Sequence, residues 1–321
     1  MLPIVYSQKY SIGIDELPKD VHLEILEKYP LDILKFKKIF YDLSFEEVLS
    51  EATHLEKISD SDLELFHTKA YLQSVYTNTQ VIGNILRLPL PPYVTAELMN
   101  NLFVNPIKHI ISGTLYATKL ALEVGWAINI GGGYHHARSD KGSGFCFFND
   151  FAISAIKLHK SKPKMKILYI DLDAHIGDGV IEYAKSDKDF FVFDIYNTFS
   201  KHVLPIVKKN GDSKFTLIGI SPYSKDEHYL RLLYKHLPPL INTISPDIIF
   251  YNGGADILIG DVLGQLSISP EGMIQRDQFV FKEAQKRGIP IMMCLSGGYG
   301  KNNYQCVSNS LKQVIALMKV L

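Results

Sequence analysis

Ile167-Leu168-Tyr169-Ile170-Asp171-Leu172-Asp173-Ala174-His175 is the stretch whose reading decides the fold. Its apolar half has the character of a buried strand. Alternation along an extended backbone sends Asp171, Asp173 and His175 toward one side. Two carboxylates and an imidazole at a strand's C-terminal end are costly to bury unpaired. A bound divalent cation relieves that cost, and carboxylate oxygen with imidazole nitrogen suits zinc or a neighbouring first-row metal. Taken alone, the pentapeptide 171–175 also admits a lesser reading, a strand end with two solvated acids and an incidental histidine. The rest of the chain decides between the two.

Working outward, apolar strand-like runs alternate with amphipathic helical patterns from about Gly125 onward. Strands are predicted at 126–130, 167–171, 190–195, 215–220, 247–251 and 289–295, and helices near 150–159, 225–243, 270–286 and 304–320. Such alternation predicts a mainly parallel sheet covered by helices on both faces. Ligands in these sheets bind beyond the carboxyl ends of the strands. The first hundred residues read as mostly helical. With no Ser/Gly-rich or Pro-rich linker and no internal repeat, residues 1–321 are expected to form a single domain. The Pro-rich stretch 87–93 reads as a surface loop at the rim of a site.

Polar groups follow four of these strands. Strand 126–130 runs into Gly131-Gly132-Gly133-Tyr134-His135-His136, and strand 167–171 into the aspartate–histidine stretch. Strand 247–251 leads to Asn252-Gly253-Gly254-Ala255-Asp256, and strand 289–295 to Ser296-Gly297-Gly298-Tyr299. Asp173, His175 and Asp256 are the expected metal ligands, and three protein donors leave a position open for water or substrate. For Asp256 alone, a turn or capping role is as good a reading. His135 and His136 are the acid–base candidates, and the spare carboxylates Asp171 and Asp178 are placed to orient one imidazole each. Paired histidines are otherwise common on surface loops. Gly131–Gly133 lacks both the GxGxxG spacing and the Lys-Ser/Thr of a phosphate loop. The Tyr299 hydroxyl is a candidate donor to a developing oxyanion, against half-buried packing. Phe145 can wall a narrow channel with the Gly144 carbonyl facing a substrate amide, or belong to the core.

Composition narrows the function classes. Lys+Arg and Asp+Glu are equal at 34 each, which argues against a broad nucleic-acid surface. The basic stretch 157–166 reads as a solvated helix end and loop. Hydrophobic residues make up 46% of the 321, ample for a large core. Three cysteines, Cys146, Cys294 and Cys306, give no disulfide framework and suit a reducing compartment. With no secretory signal and no apolar run of membrane-spanning length, a cytoplasmic protein is expected.

With the motifs in order, the chain resembles the zinc-dependent histone deacetylases. The resemblance rests on GGGYHHA at 131–137, GSGFCFFND at 142–150, YIDLDAHIGDG at 169–179, YNGGADIL at 251–258 and SGGYGK at 296–301. LPIVYS at 2–7, YPLD at 29–32 and LFHTKAYL at 65–72 extend it over nearly the whole chain. VGWAINIGGGYHH at 124–136 and GDVLGQLSISPEG at 260–272 make it most similar to the class IV members. The resemblance implies a single-domain arginase-like α/β fold with an eight-stranded, mainly parallel sheet. It implies hydrolysis of Nε-acyl-lysine amides on a protein or peptide, with one catalytic Zn2+ on Asp173, His175 and Asp256. His136 would be general base and then acid, oriented by Asp178. His135 would be its electrostatic partner, oriented by Asp171, and Tyr299 would stabilise the oxyanion. Class IV likeness further implies removal of long fatty-acyl groups. A structural potassium ion is implied at Asp171 and the backbone oxygens of Asp173 and His175, with Tyr196 standing where the family has a serine. A second channel-wall aromatic is not assigned between Tyr196 and Lys214.

A binuclear ureohydrolase shares the implied fold, but its last bridging aspartate corresponds to Gly177 here and Asp256 is not one of a pair. Acetylpolyamine or another small amide is the alternative substrate, although no acidic gatekeeper stands out. A scaffold without activity is disfavoured because each expected catalytic position is filled. The Asp/His donor set also accepts iron(II) or cobalt(II).

Overall fold

A computed structural model describes residues 2–11, 19, 32, 34–44, 54–199, 214–300 and 303–319. The β-branched and aromatic runs form seven strands: β1 Ile4–Val5, β2 Trp126–Asn129, β3 Ile167–Asp171, β4 Phe190–Asn197, β5 Phe215–Ile220, β6 Ile248–Asn252 and β7 Ile291–Cys294. Their spatial order is β1-β2-β7-β6-β3-β4-β5, and every pairing is parallel. Seven strands, rather than the expected eight, are present among the described residues. The six read from the sequence are all there. The seventh is the two-residue edge strand β1, too short to show any periodicity.

Period-two alternation divides β3 between two cores. Leu168 and Ile170 pack with the helices Asp226–Ile244, Pro270–Gln285 and Asn303–Lys319, while Ile167 and Tyr169 pack on the opposite face with Asp150–Ser161 and Asp178–Ser186. All five residues of β3 are buried, as a strand covered on both faces must be. The helix Pro270–Gln285 begins where its sequence announces it: Ser269 accepts a hydrogen bond from Gly272 N, and Pro270 takes the first turn. Helix Asn105–Val124 ends at Gly125, whose φ of 91° turns the chain into β2. Among the described residues no helix is long and apolar enough to cross a membrane.

The connectivity fixes where a ligand can sit. From β3 the chain moves outward through β4 to β5, then returns so that β6 and β7 fill the gap between β3 and β2. The direction therefore reverses between β3 and β6, leaving a crevice at their carboxyl ends. Those ends carry Asp171–His175 and Asn252–Asp256.

Candidate active site

Asp173, His175 and Asp256 converge in that crevice, with one donor atom from each lying within 4.8 Å of the others. His175 Nδ1 is 2.8 Å from Asp256 Oδ2 and 3.2 Å from Asp173 Oδ1. Each carboxylate is also tied to backbone: Asp173 accepts from Gly297 N at 3.0 Å and Asp256 from Ala174 N at 2.9 Å. Space around them is tight. A Cβ at Gly297 would lie 2.5 Å from Asp256 Oδ2 and 2.7 Å from Asp173 Oδ2, so only glycine fits. Burial and the Asp173 charge push Asp256 up to about 7. Burial also works against Asp173, yet the His135 charge and the His175 hydrogen bond hold it well below the usual carboxylate range. Two fully buried carboxylates and one imidazole, crowded together at a strand edge, fit the oxygen and nitrogen preferences of a zinc-type ion.

Two histidine–carboxylate pairs stand beside the trio. His135 Nδ1 lies 2.8 Å from Asp171 Oδ2, which also accepts the Tyr169 hydroxyl at 2.6 Å, while Asn252 donates to Asp171 Oδ1 at 3.0 Å. Burial alone would strip the His135 proton, but Asp171 and Asp173 outweigh it and raise this imidazole to about 10. His136 Nδ1 lies 2.8 Å from Asp178 Oδ1, and Arg138 clamps the other oxygen from Nε and Nη2 at 3.1 and 2.8 Å. Burial, then the neighbouring His135 charge, bring His136 down to about 4. The two rings are 4.0 Å apart between centroids, so one environment protonates the first and deprotonates the second. In both, Nδ1 is committed to a carboxylate, and His135 Nε2 lies 3.7 Å from Asp173 Oδ1.

Tyr299 closes the constellation. Its backbone N–H donates to Asp261 Oδ2 at 2.7 Å, and its ring lies 6.4 Å from His175 and 5.6 Å from Phe145. Burial holds its hydroxyl well above the ordinary tyrosine range, so it stays protonated. Phe145 has a φ of 66°, an uncommon state for an aromatic residue. Its amide is held by the Ile85 carbonyl at 3.0 Å, and the Arg87 guanidinium lies 5.6 Å from its ring. Gly144, Phe145, His135 and Tyr299 line one cavity, whose inner walls are largely apolar: Tyr10, Phe36, Phe103, Ile107 and Ile110.

The structure thus brings all of the expected site residues together around one crevice. Several neighbours escaped the sequence reading. Asp150 accepts from Gly133 N and Tyr134 N at 3.0 and 2.9 Å, and Asn149 donates to Ala137 O at 2.8 Å, so two adjacent side chains clamp both ends of the His135-His136 loop. Lys35 is buried in the same cavity with Nζ donating to Ser296 O at 2.6 Å and Gly297 O at 3.0 Å. Burial lowers it to about 8 against the pull of Asp256 and Asp173. Tyr196, expected at the potassium position, packs into the core instead. The carboxylate facing Asp171 across β3–β4 is Asp194, fully buried, with Oδ2 taken by Gly177 N and Oδ1 unpartnered. Of the segment searched for a second channel aromatic, Phe199 is exposed and 200–213 lie outside the described residues, as do 29–31 of YPLD and Lys301.

Comparison with known proteins follows the same lines. The family model for the histone deacetylase domain matches residues 29–317. Histone deacetylase 2 of Arabidopsis thaliana is 32% identical over 319 residues, covering 97% of this chain and 78% of that protein. The acetoin utilization protein AcuC of Staphylococcus aureus (strain MRSA252) is 28% identical over 270 residues, covering 80% and 68% respectively. The crystal structure of the HDA15 HD domain superposes with a TM-score of 0.75 at 17% identity, over 99% of this chain and 89% of that one, a likeness of fold. With the family model spanning most of its length and a relative sharing nearly a third of its residues, this chain belongs to the histone deacetylase family.

Proposed function

We propose that the chain, acting as one catalytic domain, hydrolyses Nε-acyl-lysine amides on proteins or peptides to lysine and a carboxylate. The observation that carries this reading is the meeting of the Asp173–His175–Asp256 trio, both histidine pairs and Tyr299 at one crevice. The trio would hold Zn2+; when bound, the ion supplies a Lewis acid that polarises the acyl carbonyl and makes water more acidic. His136 is neutral at pH 7 and accepts the water proton at Nε2 while Asp178 steadies Nδ1. The resulting imidazolium, strongly acidic in its buried setting, delivers that proton to the leaving lysine nitrogen as the C–N bond breaks. His135 stays charged and favours negative charge developing on the acyl oxygen, to which Tyr299 donates its hydroxyl hydrogen. Gly144 carbonyl accepts from the substrate amide, and Phe145 walls the lysine stem.

This assignment fixes a pH dependence. A base whose pKa is lowered stays competent further into acid, and a charged partner whose pKa is raised stays charged further into alkali. In zinc-saturated enzyme, where a bound ion would keep Asp256 ionised, kcat/KM should therefore hold level below 6.5, the ordinary histidine value, and fall as pH nears about 4; the alkaline fall should come near about 10. An acid limb centred on 6.5 would assign the base elsewhere.

Class IV likeness and the apolar walls of the cavity support long fatty-acyl groups as substrates. With metal-reconstituted enzyme, octanoyl- and myristoyl-lysine peptides should turn over at least as fast as the acetyl peptide. A clear acetyl preference rejects the long-chain reading, and preference for acetylpolyamine over every peptide rejects the lysine reading. The Asp171–Asp194 pair, with its unpartnered buried oxygen, supports K+ as a structural ion. Three free cysteines suit a cytoplasmic setting.

A further inference from the structure

Arg276 has no solvent-exposed surface. A guanidinium does not shed its charge to escape burial, so its partners must justify its place. It projects from helix Pro270–Gln285, and Nε donates to Asp277 Oδ1 at 2.8 Å. Asp277 is itself fixed by the hydroxyls of Tyr251 and Ser310. The other end of the fork does something different. Nη1 donates to two main-chain carbonyls, Leu172 O at 3.0 Å and Gly254 O at 2.6 Å. Leu172 immediately precedes Asp173, and Gly254 lies two residues before Asp256.

The placement matters because of where the sheet ends. The β3–β6 pairing runs to Asp171 and Asn252, with Leu172 N to Asn252 O at 3.0 Å just beyond it. Past that point the two segments that bear the trio leave the ladder. One nitrogen of a rigid, planar cation, itself locked by a carboxylate, then spans them.

We propose that Arg276 is a positioning residue that sets the spacing between the Asp173–His175 and Asp256 segments, and through it the affinity of the trio for a divalent cation. Asp277 orients the guanidinium for that task. The proposal rests on reading the trio as a metal site. Groups that orient metal ligands typically govern affinity by about 10- to 100-fold.

Zinc affinity, measured on the full chain by competition with a chromogenic chelator, tests this independently of turnover. Arg276→Lys keeps a positive charge but loses the fork, and Arg276→Met with Asp277→Leu removes the buried pair together, so that no lone charge is left behind. Both should bind zinc about 10- to 100-fold more weakly. Leu63→Ala, a truncation in a different hydrophobic cluster from the one that holds Leu172, should lower thermal stability and leave zinc affinity at the wild-type value. Wild-type affinity in either Arg276 variant, or an equal loss in Leu63→Ala, overturns the proposal. Should neither Arg276 variant fold, Asp277→Asn decides: several-fold weaker zinc binding supports it and unchanged binding overturns it. If wild type and Asp256→Ala bind zinc alike, the metal reading itself fails, and this inference fails with it.

Discussion

Asp256→Ala is expected to abolish acyl-lysine hydrolysis, with kcat falling by on the order of 10⁴-fold or more even in excess zinc. The side chain is fully buried, one oxygen is held by Ala174 N and the other lies 2.8 Å from His175 Nδ1. Its loss leaves two donors where a catalytic site needs three, and no neighbouring carboxylate can take its place: Asp261 spends Oδ1 on the amides of Leu263 and Gly264 and Oδ2 on Tyr299 N and Asn303. The fold should survive, because burial and the Asp173 charge already disfavour an ionised Asp256. Metal content and kcat measured on the same purified sample check both halves. Activity within tenfold of wild type would remove Asp256 from the ligand set.

Tyr299→Phe should lower kcat by about 10²- to 10³-fold, the usual consequence of deleting one oxyanion donor, with a much smaller change in KM. The substitution removes only the hydroxyl. The ring keeps its contacts with Phe145 and His175, and the backbone N–H keeps Asp261. Because burial holds the phenol protonated far into alkali, the wild-type hydroxyl is a donor across the working range. Steady-state kinetics on one acyl-lysine peptide suffice, and a kcat within threefold of wild type would give the oxyanion to another group.

Most of the sheet, and which polar residues gather at its edge, could be read from the sequence because both are written in local patterns. β2 to β7 are apolar runs, and the acidic, histidine and tyrosine residues follow them directly. What escaped detection depends on register or on main-chain partners. Asp194 faces Asp171 only because β3 and β4 pair in one particular register, which no stretch of either strand reveals; the expectation therefore fell on Tyr196, two positions along the same strand. Arg276, Asp150 and Asp261 each bind backbone amides or carbonyls, and such partners leave no trace in side-chain spacing. Lys35 turns its amine inward onto the carbonyls of Ser296 and Gly297, again main-chain partners.

The reversal of strand order between β3 and β6 has a consequence for how the protein comes into being. As the chain is made, β2 and β3 both precede the two strands that will separate them. Asp173 and His175 are therefore synthesised some eighty residues before Asp256, whose strand must slot between partners already present. Contacts of such long sequence separation are slow to close, because loop entropy is paid before they reward it. On the reading of the trio as a metal site, tight binding would need all three donors and would add its free energy only once both segments are in place. Capture of an ion would then act as a completion check, since a half-assembled chain carries only two of the three donors.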